Sequence, residues 1–285
     1  MQTAHSVAQV REHVRGWHRK GQSVGFVPTM GNLHDGHISL VREARTRCDV
    51  VVVSIFVNPT QFGPNEDFDR YPRTLDADAA ALVEAGADLL FAPSVEEMYP
   101  LGQNQTWVDV DQLGDHLCGA SREGHFRGVT TVVSKLLNIV QPDVAIFGEK
   151  DFQQLAILRR MCEELLFPVK IVGAATSRET DGLARSSRNG FLSESERTLA
   201  PQLYALLQQV KTEIIGGERN YRALESRTSQ SLNSTGFSVD YITIANARTL
   251  APAGPDDTDL IVAVAAKLGS TRLIDNISLA VVRDR

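Results

Sequence analysis

Two histidines three residues apart, His34 and His37, end the segment Pro28-Thr29-Met30-Gly31-Asn32-Leu33-His34-Asp35-Gly36-His37. An apolar run over 23–29 leads into it, and helical spacing through Ile38, Leu40, Val41 and Ala44 leads out. The segment therefore reads as a strand, a turn that Gly31 keeps tight, and a helix start, and a helix N-terminus attracts anions. Both histidines can face one way there. Two imidazoles so placed suit a triphosphate: they donate hydrogen bonds to its oxygens and, if protonated, offset developing charge. The Gly31-x4-Gly36 spacing is like that of a P-loop, but His37-Ile38 stands in place of the Lys-Ser/Thr pair. A zinc site needs more ligands, and HExxH is absent. A helix start with two incidental histidines also fits the spacing.

Three further segments carry side chains capable of chemistry. In Phe56-Val57-Asn58-Pro59-Thr60-Gln61-Phe62, Asn58 and Gln61 at a strand end can bind the hydroxyls and carboxylate of a small polar acid. A simple Asn-Pro turn fits there too. In Phe147-Gly148-Glu149-Lys150-Asp151-Phe152-Gln153-Gln154, Lys150 follows a buried strand and can reach a phosphate as a point charge. Gln154 falls one helical turn further on the same side, and Asp151 can cap the helix, as it would in a solvated loop. In Arg185-Ser186-Ser187-Arg188-Asn189, two hydroxyls and a guanidinium suit phosphate capture by a mobile loop. A flexible basic linker has the same composition.

These segments need a scaffold. The continuous β-branched run over 50–57 reads as a strand covered on both faces. Helices over 36–47, 75–87, 129–140 and 152–166 alternate with strands over 88–92, 144–147 and 169–172. That alternation implies an α/β fold, a parallel sheet with helices on both faces. Ligands of such sheets bind at the carboxyl ends of the strands, where 28–37, 58–63 and 148–154 fall. Beyond 176 the rhythm changes. A polar loop over 181–193 precedes helices over 195–216 and 219–232, then strands over 239–244, 260–266 and 272–282 that read as a smaller, mostly antiparallel sheet. The expected domains are 1–176 and 177–285, in line with a length of 285 residues.

Bulk properties narrow the partners. A net charge of −6 with no basic stripe argues against nucleic acid, although a local cationic pocket needs only a few charges. Cys48, Cys118 and Cys162 have no metal-ligand spacing and read as reduced thiols of a cytoplasmic protein. No signal-peptide pattern follows Met1, and no apolar run reaches the roughly 18 residues of a membrane span.

In order along the chain, PTMGNLHDGH, VVVSIFVNPTQF, YPRT, HFRGV, FGEKDFQQL, DGLARSSRN and RLIDN resemble the pantothenate synthetase (pantoate–β-alanine ligase) family. HxGH alone is shared across a wider superfamily of nucleotidylyltransferases and class I aminoacyl-tRNA synthetases; the full set covers about 24–276. The resemblance implies a Rossmann-like catalytic domain and a smaller C-terminal α+β lid domain with the Ser186-Ser187-Arg188-Asn189 loop near its start. It implies ATP-dependent condensation of (R)-pantoate with β-alanine through pantoyl adenylate, giving pantothenate, AMP and pyrophosphate on the route to coenzyme A. ATP would be bound by Met30, Gly31, Asn32, Leu33, His34, Asp35, Gly36, His37, Gly148, Glu149, Lys150, Asp151, Ser177, Arg185, Ser186, Ser187 and Arg188. His34, His37, Lys150 and Arg188 would be catalytic, and Gln61, Gln154 and Asn58 would hold pantoate or β-alanine. The resemblance also implies Mg²⁺ with ATP, no protein ligand to it being assigned, and a homodimer.

Two positions depart from the pattern. Thr60 stands where members often carry Met, and Arg185 where Met or Leu usually precedes the serine pair. Competing readings are another nucleotidylyltransferase of the superfamily and a non-catalytic nucleotide-binding module. The retention of His34, His37, Lys150 and Arg188 together argues against the second. No GxGxxG follows the first strand, which argues against a redox enzyme.

Overall fold

The computed structural model describes residues 1–63, 68–102 and 105–281. The chain packs into two compact units. One comprises Met1–Asp111, Arg122–Glu149 and Gln154–Ala175; the other comprises Gln112–Ser121, Lys150–Gln153 and Thr176–Arg285. The elements run β1 (Gln2–Ala4), α1 (Val7–Arg19), β2 (Val24–Thr29), α2 (Asp35–Arg47), β3 (Val50–Ile55), α3 (Leu75–Glu84), β4 (Leu89–Phe91), α4 (Val95–Met98), α5 (Leu117–Ser121), α6 (His125–Val140), β5 (Val144–Gly148), α7 (Phe152–Glu164) and β6 (Lys170–Ala174). Then follow α8 (Glu194–Leu199), α9 (Gln202–Ile215), α10 (Tyr221–Ser234), β7 (Phe237–Asn246), β8 (Asp259–Leu268) and β9 (Thr271–Ala280).

The first unit is built on a six-stranded parallel sheet in the order β1-β4-β3-β2-β5-β6. Alternate residues of each inner strand enter different cores. Phe26, Val52 and Ala145 pack with residues of α1 and α6, whereas Val27, Val51, Val53 and Ile146 pack with residues of α2 and α3. Burial on both faces is why these strands read as unbroken apolar runs. The order reverses at β2, which pairs with β3 on one side and β5 on the other. A sheet of this kind opens a crevice beyond its carboxyl ends at such a point. The turns after β2, β3 and β5 all lie at that carboxyl end.

β1 and α1 lie outside the sequence reading, although Ser6 and Gln9 form a capping box: the Ser6 hydroxyl accepts from Gln9 N (3.3 Å) and Gln9 Oε1 accepts from Ser6 N (3.1 Å). In the second unit, α9 and α10 cover a three-stranded antiparallel sheet, β7-β8-β9, over one apolar core. The single helix expected over 195–216 is two, α8 and α9, broken at Pro201, which has no N–H to continue the ladder. Residue 282 of the expected last strand lies outside the described residues. In the loop expected over 181–193, Ala184 forms an antiparallel bridge with Arg178, just before the loop, and 187–191 forms a short 3₁₀ turn, Ser187–Phe191. All three cysteines are free thiols; burial pushes Cys162 up to about 11 and also raises Cys48.

Candidate active site

The loop after β2 is held from behind by a carboxylate. Asp78 on α3 is 3% exposed and accepts from the backbone N–H of Asn32 (2.9 Å) and Leu33 (2.8 Å) and from the Thr74 hydroxyl (3.2 Å). Gly31 has φ +82°, and a Cβ there would meet Ile55 Cγ2 at 3.0 Å and Asp78 Oδ2 at 3.1 Å, so the close approach requires glycine. The Asn32 and Leu33 amides thus serve the protein's own anion. Side chains at the start of α2 must supply most of any recognition of an added one.

Those side chains are His34 and His37. His34 is the N-cap of α2; its Nδ1 accepts from Gly36 N (3.1 Å), and its own backbone N–H donates to His37 Nδ1 (3.3 Å). The result is a capping box made of two imidazoles, with ring centroids 4.1 Å apart and planes tilted by 41°. Because each Nδ1 accepts, each neutral ring carries its proton on Nε2. The helix cap therefore fixes both tautomers and makes each Nε2 a donor. Asp35 and Gly36 form the first turn of α2, and Met30 precedes Gly31 in the loop.

After β3, Asn58 begins a 3₁₀ turn, Pro59–Gln61. Its side chain is 1% exposed and gives both amide protons to the protein, to Gln61 Oε1 (3.0 Å) and to the Gly128 carbonyl (3.2 Å). Gln61 Nε2 donates to the Met30 sulfur (3.1 Å), which ties the turns after β2 and β3 together. The turn lies directly on α6: a Cβ on Gly128 would collide with the Thr60 carbonyl oxygen and meet Gln61 Cα at 2.8 Å. Backbone cannot move aside as a flexible side chain can. We expect Gly128→Ala to destabilise the fold by about 1–3 kcal/mol, the usual cost of overpacking. Urea unfolding measures it, and an unchanged midpoint would mean that the turn has slack.

β5 ends at Gly148, and Glu149–Asp151 forms a 3₁₀ turn before α7. Glu149 and Gly148 belong to the first unit, Lys150 and Asp151 to the second. The Lys150 carbonyl accepts from Asn276 Nδ2 (2.8 Å), and its half-buried ammonium has no hydrogen bond or ion pair among the described residues. The adjacent glutamines differ. Gln153 is buried and donates to Leu113 O (2.8 Å) and His116 O (2.6 Å) while accepting from Cys118 N (3.0 Å). Gln154, half-buried on α7, has no side-chain hydrogen bond among the described residues.

In the second unit, Ser186 caps the Ser187–Phe191 turn by accepting from Arg188 N (3.3 Å), and Asn189 Nδ2 donates to Ala184 O (3.0 Å). The Ser177 carbonyl accepts from Arg185 N (2.9 Å). The Arg185 guanidinium pairs with Glu179 (3.2 Å), so the cation that departs from the family pattern has a carboxylate within its own loop. Arg178, absent from the sequence reading, anchors the segment: it is bidentate on buried Asp275 (2.6 and 2.9 Å) and lies over the Tyr204 ring, 3.5 Å from its centroid. Asp78 and Tyr99 also lay outside that reading. The Asp275 signal was present, as an acidic residue inside an apolar strand in RLIDN.

Residues 2–278 match the profile of the family described as Pantoate-beta-alanine ligase. The chain belongs to the pantoate–β-alanine ligase family. Among its relatives, the pantothenate synthetase of Marinobacter nauticus is 54% identical over 280 residues, covering 98% of this chain and 99% of that one. A solved pantothenate synthetase from Thermus thermophilus superposes with a TM-score of 0.90 at 47% identity, covering 97% of this chain and 99% of that one. A Francisella tularensis pantoate–β-alanine ligase, solved in complex with βγ-ATP and β-alanine, gives 0.81 at 35% identity and 97% coverage of both chains.

Proposed function

We propose that this protein condenses pantoate with β-alanine at the expense of ATP, through an enzyme-bound pantoyl adenylate. The observation that carries the reading is the double-imidazole cap of α2 at the carboxyl end of β2, which holds two Nε2 donors where the sheet order reverses. His34 and His37 then donate to the ATP phosphates from fixed tautomers, so no ring has to reorganise during reaction. Lys150 and Arg188 place positive charge on the phosphates, with Gly148, Glu149, Asp151, Ser177, Ser186 and Ser187 lining the nucleotide. Gln61 and Gln154 hold pantoate. Arg185, engaged by Glu179, is peripheral. The second unit acts as the lid domain.

In the first step a pantoate carboxylate oxygen attacks the α-phosphorus, the bond to the β-phosphate oxygen breaks and pyrophosphate leaves. In the second, the neutral amine of β-alanine attacks the acyl carbon, the acyl–oxygen bond breaks with release of AMP, and the amine proton goes to solvent. No protein nucleophile takes part, so positioning and charge stabilisation supply the catalysis. Mg²⁺ would neutralise phosphate charge. No protein ligand is assigned to it. We also read the enzyme as a cytoplasmic homodimer, which sedimentation of the purified protein tests.

A stepwise path makes a sharp kinetic demand. With pantoate present and β-alanine absent, labelled pyrophosphate is expected to exchange into ATP. Exchange that appears only on adding β-alanine would exclude a free-standing adenylation step.

A further inference from the structure

The two ends of a carboxamide have nearly the same shape, so packing alone does not decide which end faces a substrate; hydrogen bonds do. Gln61 has its oxygen on Asn58 Nδ2 (3.0 Å) and its nitrogen on the Met30 sulfur (3.1 Å). A thioether is a weak acceptor. The Gln61 amide therefore keeps its oxygen engaged by the protein and holds its N–H donors on a partner that a ligand oxygen can displace.

What fixes Gln61 is Asn58, and Asn58 is itself fixed from the far side. The Tyr99 hydroxyl donates to Asn58 Oδ1 at 2.6 Å, and Thr60 Oγ1 donates to the same oxygen at 3.0 Å while lying 3.3 Å from the phenol. With its oxygen held there, Asn58 must aim Nδ2 at the two acceptors opposite, Gln61 Oε1 and the Gly128 carbonyl. The Tyr99 ring is buried and locked, with the Lys135 ammonium 4.0 Å from its centroid and Phe56 at 6.3 Å. Burial also raises the Tyr99 pKa, so the phenol stays protonated. Every link lies within the first unit.

We propose that Tyr99 is a positioning residue for pantoate: its hydroxyl orients Asn58, and through Asn58 the Gln61 carboxamide, so that Gln61 meets the substrate with N–H donors. Asn58 in this scheme acts behind Gln61 and not on the substrate itself. Thr60 adds a hydroxyl donor to Asn58 Oδ1 beside its own backbone N–H (3.4 Å); a Met at this position would keep the N–H and lack the hydroxyl. The proposal rests on the reading of Gln61 as a pantoate ligand.

Calorimetric titration of pantoate and of ATP, separately, tests it on Tyr99→Phe, on the double variant Tyr99→Phe/Thr60→Val, and on each combined with Gln61→Ala. Loss of one hydrogen bond at a buried acceptor predicts a pantoate Kd raised about tenfold in Tyr99→Phe, and further in the double variant. The ATP Kd should stay within about twofold, as a fold-supporting role would not ensure. On a Gln61→Ala background, Tyr99→Phe should add nothing. If Gln61→Ala weakens pantoate while neither Tyr99 variant does, the relay is wrong and Gln61 stands. If Gln61→Ala leaves pantoate binding intact, the reading of Gln61 fails and the relay with it. Equal loss of ATP and pantoate, or full additivity with Gln61→Ala, would also overturn the relay.

Discussion

Lys150→Ala is expected to slow formation of the adenylate by about 10²–10³-fold, the usual effect of removing one preorganised donor from a developing oxyanion. The side chain leaves a short turn whose backbone is held in place, since the Lys150 carbonyl accepts from Asn276. Its ammonium is uncommitted among the described residues, whereas several arginines of the same unit already face carboxylates: Arg178 pairs with Asp275, Arg185 with Glu179, Arg197 with Asp181 and Arg272 with Asp240. An unpaired, half-buried cation loses little on meeting phosphate and gains most when charge grows on the departing pyrophosphate. By the second step pyrophosphate has left, so conversion of supplied pantoyl adenylate with β-alanine should be hurt far less. Single-turnover assays of the two half-reactions measure the split. Equal loss in both would remove Lys150 from the adenylation step, and a fully active variant would remove it from the chemistry altogether.

How much of this was legible depends on how local the signal is. The valine run of β3 announces a strand buried on both faces because each residue in turn must be apolar. The HxGH turn is legible because glycine, histidine spacing and helix start fall within a few residues. Asp78 is not: it holds the same turn from 46 residues away, and nothing near it in sequence marks it as a carboxylate facing backbone amides. Tyr99 escapes for the same reason, since its partner Asn58 lies 41 residues earlier. The pair Gln153 and Gln154 marks a subtler limit. Adjacent helical residues point in different directions, and only the packing of the 112–121 segment assigns Gln153 to the protein's interior. Pro201 stands inside the helix expected over 195–216, and the structure breaks there into α8 and α9.

His34 performs two tasks that one substitution can separate. As N-cap, its Nδ1 satisfies the Gly36 N–H; as a proposed phosphate ligand, its Nε2 donates. Asparagine reproduces the first and lacks the second, because its side-chain oxygen reaches about as far as Nδ1 and asparagine is among the preferred caps. His34→Asn should therefore keep the fold within about 0.5 kcal/mol of the parent, whereas His34→Ala should lose about 0.5–2 kcal/mol, the cost of a missing cap. Both should lose about 10²–10³-fold in pantoate-dependent pyrophosphate exchange, since neither offers a donor at the Nε2 position. Urea unfolding and exchange rates on the same two proteins give the four values needed. An active His34→Asn enzyme would reduce His34 to a helix cap and leave the phosphates to other groups. A His34→Asn variant as unstable as His34→Ala would show instead that the imidazole pair, rather than the single Gly36 bond, holds the start of α2, because the tilted contact between the two rings, lost in both variants, would then carry the cap.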